Sequence, residues 1–278
     1  KTGHVLDVRI STSPALAGEK VALRLLNRPA SLLRLQTLGI SQSSLEAMRR
    51  HLRQPEGLVL VAGPTGSGKT STSYAVLQEV SGPSVNTVTI EDPVEYCLPH
   101  ATQIGINPKL GVTFESSLRT VLRQDPNIIF VGEMRDPESF GIGVRAAMSG
   151  HLVISTMHAR DTVGALTALR NLKLDRQVLS AAVRMVISQR LMRELCPHCR
   201  EWVPADAELR DFFQRHAGTD TVTVPERMAQ PSQRGCAHCH EGFVGRVGVF
   251  EVLRITPRAR AWISDGGAEA ELRDALRA

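Results

Sequence analysis

Residues 57–80 read G-L-V-L-V-A-G-P-T-G-S-G-K-T-S-T-S-Y-A-V-L-Q-E-V: a short apolar run, a glycine-rich turn closed by Lys69 and Thr70, and a stretch of helical composition. The order matters as much as the residues. The turn Gly63, Pro64, Thr65, Gly66, Ser67, Gly68, Lys69 and Thr70, continued by Ser71, matches G-x-x-x-x-G-K-[ST] and lies between a strand and a helix. There its backbone N–H groups converge on phosphate oxygens, and the new helix points its positive end at them. In that setting Lys69 reaches the β- and γ-phosphates of ATP, and the Thr70 hydroxyl ligates Mg2+. A glycine-rich turn with no ligand leaves Lys69 unexplained.

Outward from this motif, apolar runs at 58–62, 85–90, 128–131 and 152–156 read as strands, with helices near 69–80, 116–123, 137–148 and 162–172. Alternating β and α segments predict an α/β fold, a mainly parallel sheet covered by helices on both faces. A longer helix is expected over 176–195, a β segment over 245–253 and helices over 257–278. Upstream, V-L-D-V-R-I and K-V-A-L-R-L-L alternate apolar and polar positions and read as two strands joined by the loop S-P-A-L-A-G-E. Asn27-Arg28-Pro29 breaks the pattern and sets a boundary near Arg28. Helical spacing follows to about Arg53, with cap residues at Ser41 to Ser44 before Leu45.

Hydrolysis needs a carboxylate to orient water and another near the metal. Glu91, with Asp92 beside it, and Glu133 each end an expected strand. Carboxyl ends of parallel strands face the crevice in which open α/β sheets bind ligands. His151 and His158 bracket the 152–156 strand, and His158 emerges at its carboxyl end, where it can sense a γ-phosphate through a hydrogen bond.

The chain has five cysteines, four of them in two C-x-x-C pairs, Cys196/Cys199 and Cys236/Cys239, with Cys97 alone. Two such knuckles satisfy tetrahedral Zn2+, in a structural role because four sulfurs leave no open position for water. Residues 200–235 exceed a plain zinc ribbon, so an insertion is expected between the knuckles. His198, His238 and His240 stand close enough to be alternative ligands and are read as exposed neighbours.

With 42% hydrophobic residues over 278 positions the chain has the material for a proper core, and disorder is not the default reading. No apolar run approaches the roughly 18 residues needed to cross a bilayer. The start shows neither an initiating Met nor an apolar leader, so the chain reads as trimmed, without its N-terminal region and its last few residues. The formal charge of +5 is scattered over single arginines, which fits an ordinary solvated surface and, more weakly, an anionic membrane surface.

These motifs together resemble the secretion and pilus-assembly ATPases of type II secretion and type IV pili. The likeness runs through V-R-I-S-T-S-P at residues 8–14, the glycine-rich turn, T-I-E-D-P-V-E-Y at 89–96, L-R-T-V-L-R-Q-D-P at 118–126 leading into G-E-M-R-D, and S-G-H-L-V-I-S-T-M-H at 149–158. It continues through both cysteine pairs into G-F-V-G-R-V-G-V-F-E-V-L. The resemblance implies a RecA-like P-loop NTPase core (29–195) after a small β-rich remnant of an N-terminal PAS-like domain (1–28). A zinc-binding tetracysteine module (196–240) and a C-terminal β segment with helices (241–278) follow.

It further implies a homo-hexamer, cytoplasmic and peripheral to the bacterial inner membrane, working with a membrane platform protein. ATP hydrolysis in that ring drives assembly of a type IV pilus or a secretion pseudopilus. Carried over residue by residue, Lys69 and Thr70 hold phosphate and Mg2+, Glu91 orients water and Glu133 supports the metal. His151 and His158 form a histidine box, and Arg9 and Arg24 reach the phosphates from the N-terminal domain. Arg119, Arg123 and Arg135 are further arginines that can approach phosphate or a subunit interface. The family's tetracysteine module is absent from retraction motors, which favours assembly.

Four positions at three sites invite comparison with the usual pattern. Gly132 stands where ordinary P-loop ATPases place an aspartate, a feature the family shares. Asn127 stands where the family often has Asp, and Ala159-Arg160 where it usually has Thr-Asn. The rival reading is a P-loop ATPase that translocates nucleic acid, with the cysteines as a zinc ribbon. It requires basic stripes interleaved with aromatics, and at 4% aromatics with no such stripe no nucleic acid is expected.

Overall fold

The computed structural model describes residues 7–26, 34–134, 136–216 and 225–277. The break at 27–29 with its boundary at Arg28, and Arg135, lie outside the described residues. In chain order the elements begin with β1 (Asp7–Ala15), β2 (Gly18–Leu26), α1 (Gln42–Leu52), β3 (Gly57–Ala62), α2 (Lys69–Val80), β4 (Thr87–Glu91), β5 (Thr102–Gly105) and α3 (Phe114–Val121). They continue with β6 (Ile128–Val131), α4 (Pro137–Met148), β7 (Leu152–Met157), α5 (Thr162–Arg170), α6 (Arg176–Ala182) and β8 (Val183–Leu195). The last are β9 (Glu201–Pro204), α7 (Ala207–His216), β10 (Arg227–Gln230), β11 (Phe243–Arg254), α8 (Pro257–Asp265) and α9 (Glu269–Arg277).

Seven strands form one sheet in the order β11-β8-β3-β7-β6-β4-β5, parallel except for the antiparallel β8/β11 pair. All six residues of β3 are buried, because a central parallel strand is covered on both faces. The period of two then divides its side chains. Leu58, Leu60 and Ala62 join the core beneath α3, α4, α5 and α8, and Val59 and Val61 join the core beneath α1 and α2. Side-chain caps start the helices: Ser41 accepts from the Ser44 N–H, Asp136 from Ser139, and Asp161 from Gly164.

The expected helix over 176–195 is corrected. Helix α6 stops at Ala182, and the chain continues as the thirteen-residue strand β8. The segment V-R-M-V-I fits a helical or an extended period equally. The open edge of β3 decides for the strand, and residues 183 and 185–188 pair with it. The expected helical stretch 257–278 likewise divides, since Gly266 and Gly267, both at positive φ, separate α8 from α9. At the start, β1 and β2 form an antiparallel hairpin whose strands extend through most of the expected loop.

Candidate nucleotide site and cysteine cluster

The carboxyl ends of β3, β4, β6 and β7 bring most of the sequence-selected residues to one edge of the sheet. The glycine-rich turn leaves β3 with Gly63, Gly66 and Gly68 all at positive φ. A side chain on Gly63 would place its Cβ 2.4 Å from the Ser67 Oγ and 2.7 Å from the Gln189 carbonyl oxygen, so the loop closes only on glycine. Gly68 caps α2 without a side-chain hydrogen bond, which leaves the first N–H groups of that helix directed at the loop. Pro64, Thr65, Gly66 and Thr70 are exposed, Lys69 and Ser71 half-buried and Ser67 buried.

Lys69 turns back over its own loop. Its Nζ donates to the carbonyl oxygens of Gly63 at 2.9 Å and Pro64 at 3.1 Å. Burial lowers its pKa, and the negative charge of Glu133 works against that shift. Glu133 follows β6 and stands 3.4 Å from the His158 Nε2 at the end of β7. Asp92, Glu133 and Asp136 line one cleft of about 230 Å3 beside this pair. The Asp136 carboxyl is held below its ordinary pKa, chiefly by the backbone N–H of Ser139.

Gly132, just before Glu133, has a packing reason. A Cβ there would lie 3.3 Å from the Ile90 carbonyl oxygen, so a side chain at the end of β6 would press on β4 and need it to give by a few tenths of an ångström. Ser155 and Thr156 of β7 fix the same corner by donating to the carbonyls of Val131 and Gly132, at 2.8 and 2.6 Å.

Glu91 is placed differently. It is the last residue of β4 and only 3% exposed. Its carboxylate accepts from the Tyr74 hydroxyl, from the Thr89 hydroxyl at 2.6 Å and from the Gln103 amide at 3.0 Å. Burial, and then the bond to Glu91, push the Tyr74 phenol well above its usual pKa. Glu91 therefore stands near the loop edge with its oxygens engaged by α2, β4 and β5.

His151 is not brought to this edge. It precedes β7 at the amino end, where its carbonyl accepts from the Gly57 N–H and its Nδ1 meets the Ala146 carbonyl at 3.0 Å. Arg9 and Arg24 are cross-strand partners in the β1–β2 register, and their side chains lie outside the described residues. Arg119 bridges Glu115 and Glu138, and Arg123 donates to the Arg119 carbonyl.

Beyond the sheet, β8 and β11 continue as a ribbon that ends at the cysteines. The sulfurs of Cys196, Cys199, Cys236 and Cys239 all lie within 4.8 Å of one another. Cys196 stands 3.8 Å from Cys236, Cys199 3.6 Å from Cys239, and Cys236 3.7 Å from Cys239. Four sulfurs at about 2.3 Å from a central ion have tetrahedral edges of about 3.8 Å, so the spacing suits one Zn2+. It is far from the roughly 2.05 Å of a disulfide. Burial opposes the Cys239 thiolate, yet the Cys236 N–H and neighbouring donors bring its pKa down to about 7, which suits a metal ligand. Burial and shared thiol hydrogen bonds raise that of Cys199. Among the described residues no histidine joins this cluster.

A family model described as "Type II/IV secretion system protein" matches residues 1–278. The chain belongs to this family. Among individual members it is 43% identical over 262 residues to the protein transport protein HofB homolog of Escherichia coli, covering 94% of this chain and 55% of that protein. It is 39% identical over 277 residues to the type II secretion system ATPase E of Vibrio cholerae, covering 99% and 54%. To the type IV pilus assembly ATPase PilB of Acinetobacter baylyi it is 39% identical over 272 residues, covering 96% and 46%. The chain thus spans about half the length of these secretion-system relatives. The crystal structure of the pilus retraction motor PilT, with bound ADP, shares the fold at a TM-score of 0.67 and 24% identity, over 97% of this chain and 70% of that one.

Two contacts of this secretion-system protein escaped sequence reasoning. Gln189 of β8 lies under the glycine-rich turn, and Glu251 of β11 binds the start of α5. A helical reading of 176–195 hid the first. The second spans 89 positions in the chain, and no local pattern announces it.

Proposed function

We propose that this chain is the ATP-hydrolysing core of a hexameric motor that powers assembly of a type IV pilus or a type II secretion pseudopilus at the bacterial inner membrane. The observation that carries this reading is the juxtaposition of Lys69, Glu133 and His158 at the carboxyl edge of the sheet, around a complete strand–glycine turn–helix unit. The loop N–H groups and Lys69 bind the phosphates of ATP. Thr70 and Glu133 would hold Mg2+, which would supply positive charge against that of the phosphates.

Of the two acidic candidates, Glu133 is the one already beside Lys69. Glu91 orients the attacking water once the Tyr74 and Thr89 hydroxyls release an oxygen. His158 reads the γ-phosphate from β7. His151 belongs with the opposite edge, where it fastens the end of α4. Arg9 and Arg24 complete the site from the N-terminal domain, the guanidinium charge offsetting that developing on the phosphoryl group.

Residues 1–28 close that N-terminal domain. Residues 29–195 form the ATPase core, whose sheet is completed by β11 from the 241–278 segment. Residues 196–240 are the zinc module, with one structural ion on Cys196, Cys199, Cys236 and Cys239 and with β9, α7 and β10 as its insertion. Among the described residues no helix is long and apolar enough to cross a membrane, in keeping with a peripheral partner of a platform protein. The test is Mg2+-dependent ATP hydrolysis across a range of protein concentrations, with zinc analysis. Turnover that rises with concentration, vanishes in Lys69→Ala and Glu133→Gln, and accompanies about one zinc per chain supports the motor. Turnover indifferent to Lys69, or stimulated only by DNA with a steep salt dependence, overturns it.

A further inference from the structure

The β8–β11 ribbon touches two loops of the site at one level. Gln189, 2% exposed, donates from Nε2 to the Ser67 carbonyl at 2.5 Å. Its own main-chain carbonyl is the group against which Gly63 packs, and its Nε2 would stand 3.0 Å from a Cβ on Gly68. Two buried atoms at this contact, the Ser67 Oγ and the Gln189 Oε1, have no hydrogen-bond partner. Native proteins seldom leave such groups unpaired, and each that remains calls for an explanation. Here the Lys69 ammonium is spent on loop carbonyls, an arrangement that arriving phosphate must undo. A carboxamide, holding one donor face and one acceptor face, can hold the loop in both states.

One rung away, Ser188 pairs with Glu251 and Gln189 with Phe250. The Glu251 carboxylate accepts from the Thr162 N–H at 3.1 Å and from its hydroxyl at 2.6 Å. Asp161, the cap of the same helix, is held by Arg273 at 3.0 Å. Only residues 158–161 separate β7 from α5. The anchored start of α5 therefore fixes where His158 stands relative to Glu133.

We propose that Gln189 and Glu251 are positioning residues of the nucleotide site: Gln189 sets the glycine-rich turn for phosphate binding, and Glu251, acting through Thr162 and His158, sets the γ-phosphate side for turnover. The proposal rests on the nucleotide-site reading above. It separates two effects that general destabilisation merges. In the full-length protein, Gln189→Glu and Gln189→Met, which lack the N–H donor, weaken Mg-ADP binding about tenfold. Glu251→Gln lowers kcat about tenfold and leaves ADP affinity within about twofold.

Thr162→Val, which keeps shape and removes the hydroxyl, repeats the Glu251→Gln split and covers the case in which the latter variant fails to fold. In a His158→Ala background Glu251→Gln costs nothing more, because the two act in series. Unchanged ADP affinity in both Gln189 variants overturns the first assignment. Equal losses from Glu251→Gln with and without His158, or a His158→Ala variant that turns over normally, overturn the second. Lys69→Ala distinguishes the levels: if it binds ADP like the parent, the nucleotide site itself is misplaced, whereas loss of binding there with no effect at Gln189 or Glu251 sinks only this proposal.

Discussion

The two edges of the central sheet differ in how their polar groups are used. At the amino edge, Asn86 and Asn127 lock together. The Asn127 and Ile128 N–H groups donate to the Asn86 carbonyl, the Asn86 N–H donates to the Asn127 Oδ1 at 2.8 Å, and the Asn86 amide donates to the carbonyls of Gln124 and Asp125. His151 is bound at the same edge to the end of α4. At the carboxyl edge the Ser67 hydroxyl and the Gln189 side-chain Oε1 have no partner, and Lys69 rests on its own loop. The Asn86, Asn127 and His151 contacts of the amino edge are made within the chain and contribute stability. The carboxyl edge leaves a hydroxyl and an amide oxygen unpaired beside the glycine-rich turn, at a cost of about 1–3 kcal/mol for each buried unpaired group.

The largest test of this contrast is Lys69→Ala, expected to lower phosphate release by about 100-fold or more while the melting temperature stays near the parent's. A large fall in melting temperature would mean that Lys69 is structural and that the edges do not differ in kind. Next comes the far end of the ribbon. With the proposed zinc bound, chelation or Cys199→Ser should release it and lower the melting temperature by on the order of 5 °C, followed by calorimetry and thiol titration. An unchanged melting curve after quantitative metal loss would show that the cysteine end adds nothing to the fold.

At the amino edge, Asn127→Ala should cost about 1 kcal/mol in denaturant titration and leave kcat unaltered. Asn127→Asp, which keeps the acceptor for Asn86, should cost less, and equal losses would show that the Oδ1 contact is immaterial.

The smallest expected effect is at Asp161. Burial opposes its charge, but the Gly164 N–H and Arg273 prevail and hold its carboxyl below the ordinary range. The stabilisation is therefore complete above the unfolded value near ~3.9 and is lost as pH falls through the lower folded value. Asp161→Asn should flatten that acid limb and lose about 0.5 kcal/mol at neutral pH. An acid limb identical to the parent's would remove Asp161 from the account.

Local chemistry was sufficient to read the glycine-rich turn, the two cysteine pairs and the strands that lead to Glu91 and Glu133. Each depends on residues a few positions apart: glycines that adopt positive φ, a lysine opening a helix, thiols three apart in a tight turn. Burial on both faces made β3, β6 and β7 legible as apolar runs, and the cap at Ser41 marked the start of α1.

Only the tertiary structure decided what β8 is, because V-R-M-V-I satisfies either period until the open edge of β3 claims its backbone. It alone seated His151 against the end of α4 and His158 beside Glu133. It also turned the Glu91 carboxylate toward Tyr74 and brought Gln189 and Glu251 beneath loops 122 and 89 positions away in the chain. Sequence spacing encodes what the backbone can do nearby, whereas contacts across the chain follow from which buried faces the whole molecule must cover.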